Sequence, residues 1–157
     1  MGNGSIYDYL CAHEFFSGLN RDFVKFLSQN ARALRVEKGE VVFRQGEPAD
    51  KFYLIQAGHI SIEIPALYGP TLEIQSLSKD QVLGWSWLIP PYRWNFQARA
   101  QKNSDVLEFD GRVVLARCEQ EPKFGYELLK RFAGLMSERL DAARQKMIDE
   151  WNPSGFA

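Results

Sequence analysis

The sequence has little histidine and little cysteine, and both shortages argue against particular kinds of site. It contains two cysteines, Cys11 and Cys118, and two histidines, His13 and His59, in 157 residues. The cysteines lie far apart, each without a neighbouring cysteine, which favours reduced thiols over a disulfide scaffold or a zinc knuckle. A metal site needs several histidines or carboxylates converging on one ion, and no His-x-His pair is present. We therefore expect no metal site and no cofactor.

Long apolar runs and a large net charge are also missing. No segment approaches the roughly 18 apolar residues that a membrane span needs, and the first residues lack the basic start of a secretion signal. The formal net charge of −1 gives no overall attraction to nucleic acid or to anionic membranes. These absences predict a cytoplasmic protein with neither a membrane nor DNA as a direct partner.

Sequence patterns of catalysis are absent as well. The chain shows no Ser/His/Asp or Cys/His grouping, no phosphate-binding Walker loop and no paired acid motif. A chain of this length fits one domain with a real hydrophobic core. We predict a single domain that is not an enzyme and has no catalytic residue.

What the sequence does contain is a hydrophobic period that changes twice. Leu19, Phe23 and Phe26 are spaced for one face of a short helix, and Asn20 is placed to cap it. From residue 33 to about 114 the period becomes two, with glycine and proline between short runs, which is typical of an all-β sandwich or barrel. After Pro122 the apolar residues recur every three or four positions as far as Met147, which predicts one long helix.

The length of that last helix has a consequence for assembly. A small β core can cover only its first half, so the second half is left with an unpartnered apolar stripe. The pattern predicts a homodimer through residues 123–148. The alternative is a monomer in which the helix folds back along the β core.

One window of the chain suits an anion. Residues 81–104 contain Arg93, Arg99 and Lys102 but no aspartate or glutamate. Gly84 would let the backbone approach a ligand closely, and a short helix beginning after it would point free N–H groups at a phosphate. The tryptophans nearby, at 85, 87 and 94, are typical either of core filling or of an aromatic pocket wall.

Three stretches carry a resemblance to a known family. They are Val36-Glu37-Lys38-Gly39-Glu40, the run from Phe43 to Ile55 that includes Arg44-Gln45-Gly46-Glu47-Pro48, and Ala57-Gly58-His59-Ile60. With the order of helices and strands around them, they resemble the cyclic nucleotide-binding domain of catabolite activator-type regulators, cyclic AMP-dependent kinase and cyclic nucleotide-gated channels.

The resemblance implies a fold and its limits. The expected class is α+β, mainly β: a double-stranded β-helix, or jelly-roll-like β-roll, with a short N-terminal helix, a short phosphate-cassette helix and a long C-terminal helix. The domain would occupy residues 13–150, with an N-terminal extension at 1–12 and a C-terminal tail at 151–157. A helix-turn-helix would need more chain than that tail supplies, so a stand-alone domain without one is expected.

The resemblance also points to ligand-binding residues. In the family a glycine and a glutamate begin the cassette helix, the glutamate binds the ribose hydroxyl, and an arginine neutralises the cyclic phosphate. Here Trp85 replaces the glutamate, and Arg93 lies one residue before the expected position, which is Trp94. An indole N–H cannot accept a hydroxyl proton. The implied ligand-binding residues are Gly84, Trp85, Ser86, Trp87, Arg93 and Trp94.

Two functional hypotheses remain open. The first is a regulatory ligand-sensing module for signal transduction that binds a small phosphorylated anion, such as a cyclic nucleotide, and relays binding through the C-terminal helix. The second is a degenerate domain whose pocket is filled and which serves dimerisation or docking to a partner protein. The first hypothesis predicts that Arg93→Ala abolishes binding with the fold intact.

Overall fold

Two four-stranded antiparallel sheets form the β-roll that the alternating pattern predicts. The computed structural model describes residues 3–151. The strands are β1 Ala31–Val36, β2 Val41–Phe43, β3 Lys51–Ala57, β4 Ile60–Ile64, β5 Leu72–Leu77, β6 Val82–Leu83, β7 Gln97–Ala100 and β8 Ser104–Asp110. The strand order is β1-β8-β3-β6 in one sheet and β2-β7-β4-β5 in the other.

Helices flank the roll at both ends of the chain. They are α1 Asn3–Cys11, a 3-10 turn at Glu14–Phe16, α2 Arg21–Gln29, α3 Gly111–Gln120 and α4 Pro122–Trp151. The cap predicted for the short N-terminal helix is confirmed, since the Asn20 Oδ1 accepts the Asp22 N–H at 2.8 Å. No helix within residues 3–151 is both long and apolar enough to cross a bilayer.

The sheet β1-β8-β3-β6 separates two hydrophobic cores. Successive residues of a strand point to opposite faces, so Phe52 and Leu54 enter the core shared with the helices, whereas Tyr53 and Ile55 enter the interior of the roll. We call these the helical core and the roll core. Both contain several aromatic side chains.

The long helix lies against the helical core along its first half only. Phe124, Leu128, Phe132 and Leu135 are buried there, whereas Leu140 and Met147 farther along are exposed. The predicted long helix is therefore confirmed, and so is the prediction that the roll leaves its second half partly uncovered. That second half still touches the roll, because the Lys146 ammonium donates to the carbonyl of Glu73 at β5.

Two helices were not anticipated by the periodicity. Helix α3 follows β8 without a loop, and its N-cap Asp110 accepts the N–H groups of Arg112 and Val113. Helix α1 falls in the predicted N-terminal extension, yet Ile6 and Leu10 are buried in the helical core. The domain limits of 13–150 stay a prediction, and most of the predicted tail at 151–157 lies outside the described residues.

Candidate functional site

The cassette, residues 84–94, connects β6 to the segment that leads into β7. Gly84 directly follows β6 with a backbone φ of +98°, a conformation that glycine adopts without strain. The Leu88 N–H donates to the Trp85 carbonyl at 3.0 Å, closing one turn, and Pro90 and Pro91 follow it. The Tyr92 N–H donates to the Ile89 carbonyl at 3.0 Å and closes a second turn. Proline cannot donate a backbone hydrogen bond, so the segment expected to form a short cassette helix makes two separate turns.

Two tryptophans of the cassette point into different cores. Trp87 is 1% exposed and stacks on Phe52 in the helical core, with 4.7 Å between ring centroids. Trp94 is 6% exposed and stacks on Phe43 in the roll core, with centroids 3.7 Å apart and planes 10° apart. The side chain of Trp87 therefore lies in a different core from that of Trp94.

The Trp94 ring occupies the space beside Gly84. A Cβ on Gly84 would lie 2.9 Å from the Cη2 of Trp94, so the ring sits directly against the glycine backbone. The remaining cavity, which we call the roll pocket, has a volume of about 20 Å³. That is room for about one water molecule. Its lining also includes Trp85, Ser86 and Arg139, so four of the six predicted residues meet here together with one buried cation.

Arg93 lies on the surface, at the loop between β2 and β3. Its Nη1 donates to the carbonyl of Gly46 at 2.9 Å, and its backbone forms an isolated β-bridge with Pro48. The amide of Trp94 donates to the Glu47 carbonyl at 3.0 Å, and the Gly46 amide donates to the Trp94 carbonyl at 2.8 Å. The loop and the cassette are thus joined by backbone hydrogen bonds, with the guanidinium group on the outside.

Arg99, a second arginine of the window that lacks acidic residues, also has its partners within the protein. The Arg99 Nε lies 3.4 Å from a carboxylate oxygen of the buried Glu63, and its Nη1 donates to the Gly39 carbonyl at 3.0 Å. Glutamate from another strand thus supplies the negative charge that the window lacks. A role for the six predicted residues in binding a ligand stays a prediction.

A larger cavity opens between the roll and α4. This helix cavity has a volume of about 310 Å³. Its walls are mostly apolar and come from β4, β5, the cassette and α4: Ile62, Ile74, Gln75, Trp85, Phe96, Met136, Arg139, Leu140 and Ala143. Trp85 and Phe96 meet edge to face at 6.5 Å between centroids and form an aromatic wall. This cavity and the roll pocket share four lining residues: Ile62, Trp85, Phe96 and Arg139.

Arg139 is the one charged side chain that lines the helix cavity. It is 6% exposed, its Nη2 donates to the Val82 carbonyl on β6, and its Nη1 is buried without a hydrogen-bond partner among the described residues. Burial lowers the pKa of the guanidinium to about 10, and the charge of Glu138 offsets this only in part. Sequence reasoning missed Arg139, although its place on the helix, four residues after the buried Leu135 and seven after Phe132, is a signal that could have found it.

Comparison with known proteins shows the family. The profile for the cyclic nucleotide-binding domain matches residues 33–121. This chain belongs to the cyclic nucleotide-binding domain family. The match runs from β1 to the end of α3 and so includes the entire roll and the cassette. Domains of this family are regulatory, and the resemblance drawn from the glycine turns is confirmed.

Similar proteins place the domain in different contexts. Over 127 residues the chain is 43% identical to a Rhodopseudomonas palustris protein named as a potassium channel, which covers 80% of the chain and 30% of that protein. Over 63 residues it is 36% identical to the acetyltransferase Pat of Mycolicibacterium smegmatis, covering 40% of the chain and 19% of that enzyme. The chain thus spans less than a third of either relative.

A solved structure repeats the whole fold. The crystal structure of a protein from Geobacter metallireducens, named as a cyclic nucleotide-binding protein, superposes with a TM-score of 0.75 at 25% sequence identity. The similarity covers 85% of this chain and 96% of the other. The predicted fold class is therefore confirmed at the level of the complete roll with its flanking helices.

Proposed function

We propose that this domain is a regulatory module of the cyclic nucleotide-binding family whose phosphate pocket is filled by its own side chains, and that it acts through α4. It binds no cyclic nucleotide in the roll and pairs with a second copy along the helix. The proposal includes the absence of catalysis by the domain itself. It corresponds to the second of the two hypotheses that the sequence leaves open.

The observation that carries the proposal is the position of Trp94. Its ring stacks on Phe43 and contacts Gly84, the residue whose backbone would face a cyclic phosphate, and leaves about 20 Å³. Ligand pockets in proteins usually measure about 300–1,000 Å³. A nucleotide could enter only if a well-packed indole left the roll core.

The charges around the roll pocket support the same proposal. The Arg93 guanidinium lies outside the pocket on the Gly46 carbonyl, and Trp85 stands where the family has a glutamate. The arginine and the glutamate that the family uses are therefore not at this pocket, and the cation in its lining is Arg139, whose Nη2 already donates to the Val82 carbonyl. A phosphate in this pocket would lack the partners that the family supplies.

The proposed pairing surface is a heptad stripe on α4. Its members recur with alternating spacings of three and four, as in a coiled coil. They are Tyr126, Leu129, Ala133, Met136, Leu140, Ala143 and Met147. Leu140 is 70% exposed and Met147 is 60% exposed, large values for side chains of this kind. Burying the stripe against an identical helix would remove this apolar surface from water.

Calorimetry tests the filled pocket. Titrating the protein with cyclic AMP, cyclic GMP and cyclic dinucleotides should give no binding heat. The same titrations are made with Trp94→Ala, which vacates the space beside Gly84. Binding heat in this variant alone would show that the indole is what excludes the nucleotide. Micromolar binding by the unaltered protein, lost in Arg93→Ala, would overturn the proposal in favour of a cyclic nucleotide sensor.

Sedimentation tests the pairing. The unaltered protein should sediment as a dimer at micromolar concentration, and the double variant Leu140→Asp with Met147→Asp should be a monomer with the same helical circular dichroism signal. Ile148→Asp is the matched control, because Ile148 is 47% exposed on the same helix but lies off the stripe. A monomer in the unaltered protein, or equal disruption by the control, would contradict pairing through this surface.

A further inference from the structure

A third and larger cavity lies between the N-terminal segment and the long helix. This N-terminal groove has a volume of about 530 Å³. Its walls are the 3-10 turn at Glu14–Phe16 with its neighbours, the turn between β5 and β6, and α4 between residues 127 and 139. None of its described lining residues belongs to the cassette, and Arg139 alone is shared with the roll pocket and the helix cavity. The groove is therefore a separate space on the domain.

Part of the groove is apolar and open. Phe15, Val82 and Leu135 contribute apolar surface to its walls. Gly134 lies beside Leu135 on α4, and a Cβ added there would have nothing within 4 Å. Glycine within a helix is less stable than alanine, and no contact of the described residues requires it at this position. The glycine therefore leaves free space above α4 in which an apolar body fits, and the volume lies in the range of small-molecule sites.

The cations of the groove already have partners within the protein. The Arg131 Nη1 lies 3.0 Å from a carboxylate oxygen of Glu127, and the Lys130 ammonium lies 3.8 Å from the other oxygen of the same carboxylate. Arg139 is only 6% exposed and donates to the Val82 carbonyl, so it presents little surface to an occupant. The positive charges of the lining are thus either paired or buried.

Three carboxylates of the same lining have no cation. Glu14, Asp80 and Glu138 come from three different walls of the groove, and none of them forms an ion pair within residues 3–151. Asp80 is held in place, because its Oδ1 accepts the Tyr9 hydroxyl at 2.9 Å and its carbonyl lies 2.8 Å from the His13 Nε2. The described residues contain no group of side chains that could hold a metal ion. The counter-charge that suits this lining is therefore an organic cation.

We infer that the N-terminal groove binds a small organic cation, a primary amine with an aromatic or aliphatic body. An ammonium group has three donors and no acceptor, which matches the carboxylates of Glu14, Asp80 and Glu138. The apolar body lies against Phe15 and in the free space above Gly134. The site depends neither on the proposed filling of the roll pocket nor on the proposed pairing of α4. A ligand here contacts the N-terminal segment, the roll and the long helix at once.

Three small compounds with the same aromatic body test the class of ligand. Phenethylamine carries a positive charge, phenylethanol is neutral, and phenylpropionate carries a negative charge. In titrations followed by nuclear magnetic resonance, the unaltered protein should bind phenethylamine at least about tenfold more tightly than either of the others, the scale of one charge-assisted contact. Added salt should weaken this binding. Equal affinities, tighter binding of the anion, or no binding of phenethylamine at millimolar concentration would overturn the inference.

Two variants locate the binding. Gly134→Leu fills the groove from α4, away from the heptad stripe, and should abolish binding of phenethylamine. The double variant Glu14→Gln with Glu138→Gln keeps both side-chain shapes without charge, and it should weaken phenethylamine at least about tenfold while leaving phenylethanol unchanged. Asp141→Asn is the matched control, since Asp141 is an exposed carboxylate of the same helix that lies 3.7 Å from Arg144 and does not line the groove. It should leave the affinity unchanged.

The outcomes are distinguishable from simple loss of structure. Circular dichroism and thermal melting of each variant establish that it is folded before the compounds are added. If Gly134→Leu does not fold, the difference between the double glutamate variant and Asp141→Asn still decides the matter. Phenethylamine binding that survives both Gly134→Leu and the double variant, or that Asp141→Asn weakens equally, would place it elsewhere and overturn the inference.

Discussion

The roll pocket and the helix cavity adjoin each other and share four lining residues, yet they differ in size and in packing. The roll pocket is packed by the stacked rings of Phe43 and Trp94 and retains about 20 Å³. The helix cavity keeps about 310 Å³ and has the buried cation Arg139 in its wall. The residues at which a family ligand is expected thus surround a small space packed with aromatic rings, and Arg139 lines both this space and the larger one.

This difference shows that a domain can keep its family fold while the side chains that line its pocket differ. The roll, the cassette position and the long helix are all retained. One large side chain, Trp94, packs in the roll core at the place where we propose that it excludes a ligand. A fold match therefore identifies the domain family, whereas the side chains inside the roll decide what can bind.

The largest expected effect comes from emptying the roll pocket. Trp94→Ala removes a stacked, buried indole, and we expect it to lower the free energy of unfolding by about 3–5 kcal/mol, as for other large aromatic truncations in a core. Chemical denaturation measures this change. Trp85→Ala is the comparison variant, because Trp85 is only partly buried, and it should cost less. Equal losses would mean that the two cavities do not differ in packing as described.

A smaller effect is expected from adding one methyl group to the roll pocket. Gly84→Ala places a Cβ about 2.9 Å from the Trp94 ring at a φ of +98°. Gly46→Ala is the matched control, since Gly46 has a similar φ of +89° but nothing within 4 Å of the added atom. Denaturation should show that Gly84→Ala costs about 1–3 kcal/mol more than the control, the usual penalty of overpacking. Equal costs would show that the ring yields to the methyl group.

The smallest effect is expected at the surface arginine of the cassette. Arg93→Ala removes the hydrogen bond from Nη1 to the Gly46 carbonyl, and we expect a loss of about 0.5–1.5 kcal/mol in the free energy of unfolding. Arg44→Ala, in the exposed loop after β2, is the control and should change stability less. Equal changes in the two variants would show that the hydrogen bond to Gly46 contributes nothing measurable.

Most of the fold could be predicted because its helices and strands follow local sequence patterns. The alternation in β3 and β4, the glycine turns and the three-and-four spacing of α4 each depend on residues close together in sequence. Helix α3 was missed because it begins without a break after β8, at Gly111, and its first turn contains Val113 and Val114, which favour strands. Its cap, Asp110, is also the last residue of β8.

The site was harder to predict because its decisive contacts are distant in sequence. The acid-free window indicated an anion, but Arg99 finds its negative charge in Glu63 on another strand. The place of Arg139 on the buried face of α4 can be read from the spacing, but its partner, the Val82 carbonyl on β6, is distant in sequence. The stacking of Trp94 on Phe43 likewise joins residues that no local period relates.

The backbone hydrogen bonds between the cassette and the β2–β3 loop also limit how often the roll can open at this side. The amides of Gly46, Ala49 and Trp94 donate across this seam to the carbonyls of Trp94, Tyr92 and Glu47. Anything that enters or leaves the roll at this side has to open the seam first, so these protons should exchange with solvent deuterium as one group. Their common exchange rate would measure how often the roll opens at this side.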